Sequence, residues 1–169
     1  MACNTVKSFT YDACTPNIGG IKTIWLADYV EDAATVSSGD TEGYISAFAE
    51  SVTWTKYPMR KNTCSMTSTL NNSAEGSSYV TTELAMVFSK MEAAKRIAIQ
   101  ALAIGECMAL VEDSNGELWF LGKDEPLTAT AGTGQTGTAK GDVNSYNLTL
   151  TDESLQFPYS VSKELKPNA

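Results

Sequence analysis

Histidine is absent from this chain. A Ser-His-Asp or Cys-His nucleophile therefore cannot be assembled, and the side chain that most often serves as a general base near neutral pH is missing. Cysteine is scarce and scattered: Cys3, Cys14, Cys64 and Cys107 show no CxxC spacing and have no histidine to join them, which argues against zinc. Free thiols are the expected state. Cys64 and Cys107 sit in strand patterns as small hydrophobes, and a Cys3–Cys14 bridge would need an oxidising exterior. No stretch approaches about eighteen consecutive apolar residues, and no N-terminal segment joins a basic start to an apolar run. Neither a membrane span nor a signal peptide is expected, and the chain should be made and kept in a cytosol. Positive charge is the last deficit: 12 basic residues face 20 acidic ones, for a formal charge of −8. With no cluster of Lys or Arg, a firm grip on nucleic-acid phosphates is disfavoured. An acidic surface repels phosphates over about 8 Å at physiological salt, so DNA could pass such a surface without sticking.

Several motifs look chemical and are not. Gly132-Thr133-Gly134-Gln135-Thr136-Gly137 fits GxGxxG, but it follows Pro126 and a Thr-rich run, and no helix begins at its end. A pyrophosphate site needs that helix N-terminus as well as the glycines, so a flexible loop is the better reading. Asp124-Glu125 and Asp152-Glu153 are adjacent carboxylate pairs, yet neighbours in a strand face opposite ways, and both pairs sit beside turn formers. Neither is expected to be catalytic, and no cofactor or metal is expected.

What is present is pattern. From Lys61 to Leu70 the side chains alternate, with Thr63, Ser65, Thr67 and Thr69 on one face and Cys64, Met66 and Leu70 on the other, the period of an extended strand. Tyr79 to Phe88 repeats the device: Val80, Leu84, Met86 and Phe88 share the apolar side, with Thr81 and Glu83 opposite. Between them, Asn71-Asn72-Ser73-Ala74-Glu75-Gly76-Ser77-Ser78 has no apolar anchor and reads as a long projecting, mobile loop. Ser89 is placed to cap a helix over about residues 90–104, with Glu92 closing a capping box and Gly105 ending it. Met91, Ala94, Ala98, Ala101 and Leu102 form its core stripe. Ile97, Ile99 and Ile104 widen the apolar surface beyond what one sheet face covers, which suggests contact with a second subunit.

Ile21 to Val30 reads as a strand anchored by Ile24 and Trp25, followed by an acidic loop over residues 31–41. Tyr44 to Phe48 and Glu50 to Tyr57 resume an extended pattern that Pro58 closes. Glu106 to Glu112 and Glu117 to Leu121 flank Asp113-Ser114-Asn115-Gly116, a tight hairpin turn. Trp119 and Phe120 must then face opposite ways, so one of them should lie outside the chain's own core. Residues 129–142 read as a flexible Gly/Thr/Ala loop, and 146–151 and 156–161 as final strands. The length suits one domain over residues 1–169, with an N-terminal arm at about 1–20.

In the block Tyr79 to Gly105, then Leu118 to Pro126 and Leu150 to Val161, the chain resembles the major tail tube proteins of tailed bacteriophages, particularly those of Bacteroidetes-type hosts. The resemblance lies in the order of elements and in the helix block, and it spans most of the chain. It implies a mainly β (α+β) fold, a β-sandwich or partial barrel with one flanking helix. Six copies would close into a ring, and rings would stack into a hollow tube for genome ejection, assembled in the host cytoplasm as part of the virion tail.

Under that resemblance Thr63, Ser65, Thr67, Thr69, Thr81 and Glu83 would face the lumen. Asn71, Asn72, Ser73, Glu75 and Gly76 would touch the adjacent ring, while Ile97, Ile99, Ile104, Trp54 and Trp119 would lie between subunits. The partners implied are other copies, other tail or connector proteins, and genomic DNA in transit; no membrane is implied. A head-to-tail joining ring or capsid decoration protein suits the same composition, as does the inner tube of a contractile secretion machine. A small enzyme or ligand-binding β-barrel would need a sizeable apolar pocket and a perturbed carboxylate.

Overall fold

The structure is a computed structural model that describes residues 9, 14–37 and 44–167. β1 (Ile21–Asp28) and β7 (Cys107–Asp113) pair antiparallel; β1 is buried from Ile24 to Ala27 and β7 from Cys107 to Glu112. Their near-continuous apolar runs, IWLA and CMALV, are what a strand needs when both its faces are covered. Around them a seven-stranded sheet is completed by β2 (Ala34–Val36), β3 (Tyr44–Phe48), β4 (Thr55–Tyr57), β8 (Leu118–Leu121) and β11 (Tyr159–Val161), in the order β2-β3-β11-β8-β7-β1-β4. Among the described residues only the β3–β11 pairing is parallel.

A second, four-stranded sheet is antiparallel throughout, in the order β5 (Ser65–Asn72), β6 (Ser78–Ser89), β10 (Ser145–Ser154) and β9 (Thr128–Gln135). Its inner face supplies Leu84, Met86, Leu148 and Leu150, which pack on Ile24, Leu26, Ala109 and Val111 of the larger sheet. This is the sandwich core. The reverse face of the larger sheet holds a second cluster around Trp25, Ile45, Leu110 and Phe120. Complete burial of a side chain such as Trp25 or Phe120 contributes about 1.5–3 kcal/mol.

The helix α1 (Ala93–Ile104) links the two sheets and lies along β9. It starts later than the sequence suggests. Ser89 ends β6 instead of capping, and the Met91 N–H is taken by Asn144 Oδ1 at 2.8 Å. Glu92 binds Lys95 and Lys90 at 2.8 and 3.4 Å, which consumes the carboxylate a capping box needs. At the other end Gly105 does close the helix, its N–H donating to Ala101 O at 2.9 Å.

Two expected loops are shorter than the pattern implied. Asn71, Asn72 and Ser78 belong to the β5–β6 ladder, so only residues 73–77 turn, and they do so tightly. Ser73 N–H donates to Ser77 O at 2.9 Å, and Ser73 Oγ accepts from the Glu75 and Ser77 amides at 3.3 and 3.2 Å. Within the expected loop 129–142, residues up to Gln135 form β9. A Cβ on Gly134 would come within 2.9 Å of the Tyr146 ring, so the glycine lets β10 pack that aromatic against β9. The expected strand over 50–57 shrinks to β4, and the final strand pattern over 156–161 to β11. Conversely, β2 lies inside the stretch read as an acidic loop. The first thirteen residues of the expected arm, Phe9 aside, lie outside the described residues, and with them Cys3.

Candidate functional site

The outward face of the four-stranded sheet is the most unusual surface of the molecule. None of β5, β6, β9 and β10 contains a lysine or arginine. Thr67 stands opposite Glu83, and Thr69 opposite Thr81; β10 continues the rows with Thr151 beside Glu83 and Glu153 beside Thr81. Small polar groups bond along this face: Asn71 Nδ2 to Thr81 Oγ1 at 2.9 Å, Thr130 Oγ1 to Thr151 Oγ1 at 2.7 Å, and Asn147 Nδ2 to Thr133 Oγ1 at 3.1 Å. The result is a face rich in hydroxyls and amides, with Ala85, Val87 and Ala131 among them, whose only charges from these four strands are carboxylates.

Of the residues the sequence assigned to this face, Ser65, Thr67, Thr69, Thr81 and Glu83 share it. Thr63 does not: it precedes β5 and its hydroxyl donates to Arg60 O at 2.6 Å, closing a turn. The β9 and β10 members, Thr130, Thr133, Asn147, Thr149 and Thr151, were missed. Their alternation was legible in β10, but in β9 the only strand-favouring residues are threonines set among Ala and Gly, so it read as a loop.

Among the described residues the sheet ends at β5 and β9, with no further strand paired beyond either. In an antiparallel order of four strands these borders run in opposite directions. Copies related by rotation about an axis parallel to the strands would therefore bring β5 of one beside β9 of the next with antiparallel polarity, the ordinary pairing geometry.

The helix presents the second candidate surface. No residue of α1 is fully buried. Ala98, Ile99 and Leu102 face inward, and Ile99 and Leu102 pack on the sandwich core, so Ile99 belongs to the chain's own packing and not to a spare stripe. Ala94 and Ala101, expected on the core stripe, are exposed. Ile97 and Ile104 are 62% and 78% exposed and lie two turns apart on one side. Trp54 and Trp119 are committed inside the chain. Trp54 packs edge-on to Phe48 and Phe120 at 5.3 and 6.3 Å, and Trp119 packs on the core with Nε1 donating to Asp113 Oδ2 at 3.2 Å. The strand alternation at Trp119 and Phe120 holds, but the larger sheet is covered on both sides, so neither ring is left outside.

Two buried carboxylates lie away from these surfaces. Glu112 accepts from Lys166 at 2.8 Å and Lys22 at 3.3 Å. Burial opposes its charge, but the two lysines outweigh that and hold the carboxyl below its ordinary value. Asp152 faces the sandwich interior beside Thr82, whose hydroxyl bonds Ser68 Oγ at 2.9 Å. Burial pushes Asp152 up to about 6, with the Gly122 N–H opposing and Asp124, Glu125 and Glu153 adding to the rise. Asp152 is only 3% exposed and lines none of the grooves around Ile18, Tyr79, Phe157 and Tyr57. Burial, then Asp28, push the Cys107 thiol up to about 12, which keeps it protonated at neutral pH. Among the described residues no three metal-ligating side chains converge, and no helix is long and apolar enough to cross a membrane.

No known protein family, curated protein or solved structure matches the chain.

Proposed function

We propose that this chain is a self-assembling virion subunit, a tail tube protein whose copies close into rings that stack into a conduit for DNA. The observation that carries this reading is the cation-free, hydroxyl-rich face of the four-stranded sheet, which among the described residues ends in two border strands, β5 and β9, that run in opposite directions. Continuing the sheet from copy to copy turns that face into the inner wall of a barrel and removes both unpaired edges. A wall that offers phosphates no cation exchanges no counterions with DNA, so the polymer slides. Ile97 and Ile104, on the exposed side of the helix that lies along β9, are then covered by the neighbouring copy; each contributes about 1.5–3 kcal/mol if fully buried.

Negative-stain electron microscopy of the purified, concentrated chain tests the reading. Rings or hollow filaments are expected, and a homogeneous monomer at every concentration in analytical ultracentrifugation overturns it.

A further inference from the structure

The strand registers define two ends of the four-stranded sheet. One end holds the 73–77 turn, the start of β6, the start of β9 and the exit of β10; the other holds the end of β6, the end of β9 and the start of β10. Charge is sorted between them. At the first end Glu125 and Glu153 line a groove of about 420 Å3 with Tyr79 and Leu155, and both carboxylates are exposed. A second groove of about 540 Å3, lined by Leu70, Trp119, Leu155 and Phe157, adjoins it through Leu155. Leu155 and Phe157 are 76% and 55% exposed. The opposite end carries Lys90, Arg96 and Lys140 in excess over Glu92 and Asp142, together with Val143, which is 57% exposed. The Lys90 side chain is 77% accessible despite a contact with Glu92 at 3.4 Å.

We infer that the acidic, apolar end of one copy seats on the basic end of a second copy, so that subunits stack head to tail along the strand direction. Opposite charge on two ends of one molecule favours that polar stacking and disfavours end-to-end inversion, because like ends repel. The contact is heterologous and does not close on itself, so it propagates. Leu155 and Phe157 supply the apolar surface such a contact needs, with Val143 facing them and the charges at the rim fixing the register. This rests on the proposed assembly of rings and specifies how one ring meets the next.

The test is a charge-swap pair in the full chain. Glu125→Lys/Glu153→Lys makes both ends basic, and Lys90→Glu/Lys140→Glu makes both ends acidic. Each variant alone is expected to keep rings in sedimentation velocity while long stacks vanish, and an equimolar mixture is expected to stack again by alternation. All four positions are exposed, and circular dichroism should show unchanged folds. Stacks that are indifferent to both swaps, or a mixture that fails to restore them while rings persist, assign these ends to another occupant and overturn the inference alone. A wild-type chain that never leaves the monomer overturns the ring reading itself.

Discussion

Asp152 accepts the Gly122 N–H at 3.3 Å, and its other oxygen is buried without a partner. A carboxylate so placed is costly when charged, because burial removes water and one amide does not replace it. The groups around it are acidic, which adds to the cost.

Stability should therefore depend on pH through this residue. In the unfolded chain Asp152 loses its proton near 3.8, but in the folded chain only at about 6. The native state binds the extra proton between those values, so the contribution is fully present below the lower one and is lost as pH rises through about 6. The thermal midpoint should be higher at pH 5 than at pH 7.5, and Asp152→Asn should flatten that difference. An unaltered slope in the variant rules Asp152 out as its source.

Gly122 supports the same contact from the other side. Its φ is +88°, and a Cβ there would lie 2.8 Å from Leu127 Cδ1 and 3.2 Å from Met108 Cα. Gly122→Ala should cost roughly 2 kcal/mol or more, since both the backbone conformation and the packed neighbours resist the added carbon. Urea denaturation measures it, and a loss below about 0.5 kcal/mol contradicts the packing.

Glu112→Gln should destabilise the fold by roughly 1–3 kcal/mol at pH 7, because Lys166 and Lys22 lose their charged acceptor. Here the sign is opposite to that of Asp152. The folded carboxyl lies below its ordinary 4.5, so its contribution is present above that value and disappears as pH falls beneath it. The variant and the parent should converge in stability toward pH 3.

Ile97→Glu/Ile104→Glu should leave the monomer's unfolding free energy within about 0.5 kcal/mol of the parent, since both side chains are already in water. The same variant should lose rings in sedimentation velocity. Rings that form at the parental concentration remove α1 from the lateral contact.

Thr67→Lys/Thr69→Lys places two cations on the face that has none. Assemblies of the variant should retain double-stranded DNA at low salt and release it as salt rises, whereas the parent should not retain it. Equal retention by both argues that this face does not line the channel.

Much of the fold was legible in the chain. The alternation in 65–70 and 79–88 put Leu84, Met86 and Phe88 inside and Thr81 and Glu83 outside, as the structure has them, because a half-buried strand writes its two environments in alternate residues. The Asp113–Gly116 hairpin was equally clear: Gly116 adopts φ +85°, and Asp113 Oδ1 takes the Asn115 and Glu117 amides at 2.9 Å. β9 and the true start of α1 were not legible. Small residues carry no period, and the helix is positioned by Asn144, far away in sequence.

The amino-acid sequence by itself determined the hydroxyl and carboxylate character of the strands, the absence of histidine chemistry, and the excess of isoleucine on the helix. These are properties of local composition and period, which survive in any fold that keeps the strands. Tertiary structure alone decided that β9 joins β10 to extend the cation-free face, that Ile99 turns inward while Ile97 and Ile104 stay in water, and that acids and bases collect at opposite ends of one sheet. Those outcomes depend on pairing between residues distant along the chain, where register and packing, not neighbouring side chains, set which groups meet.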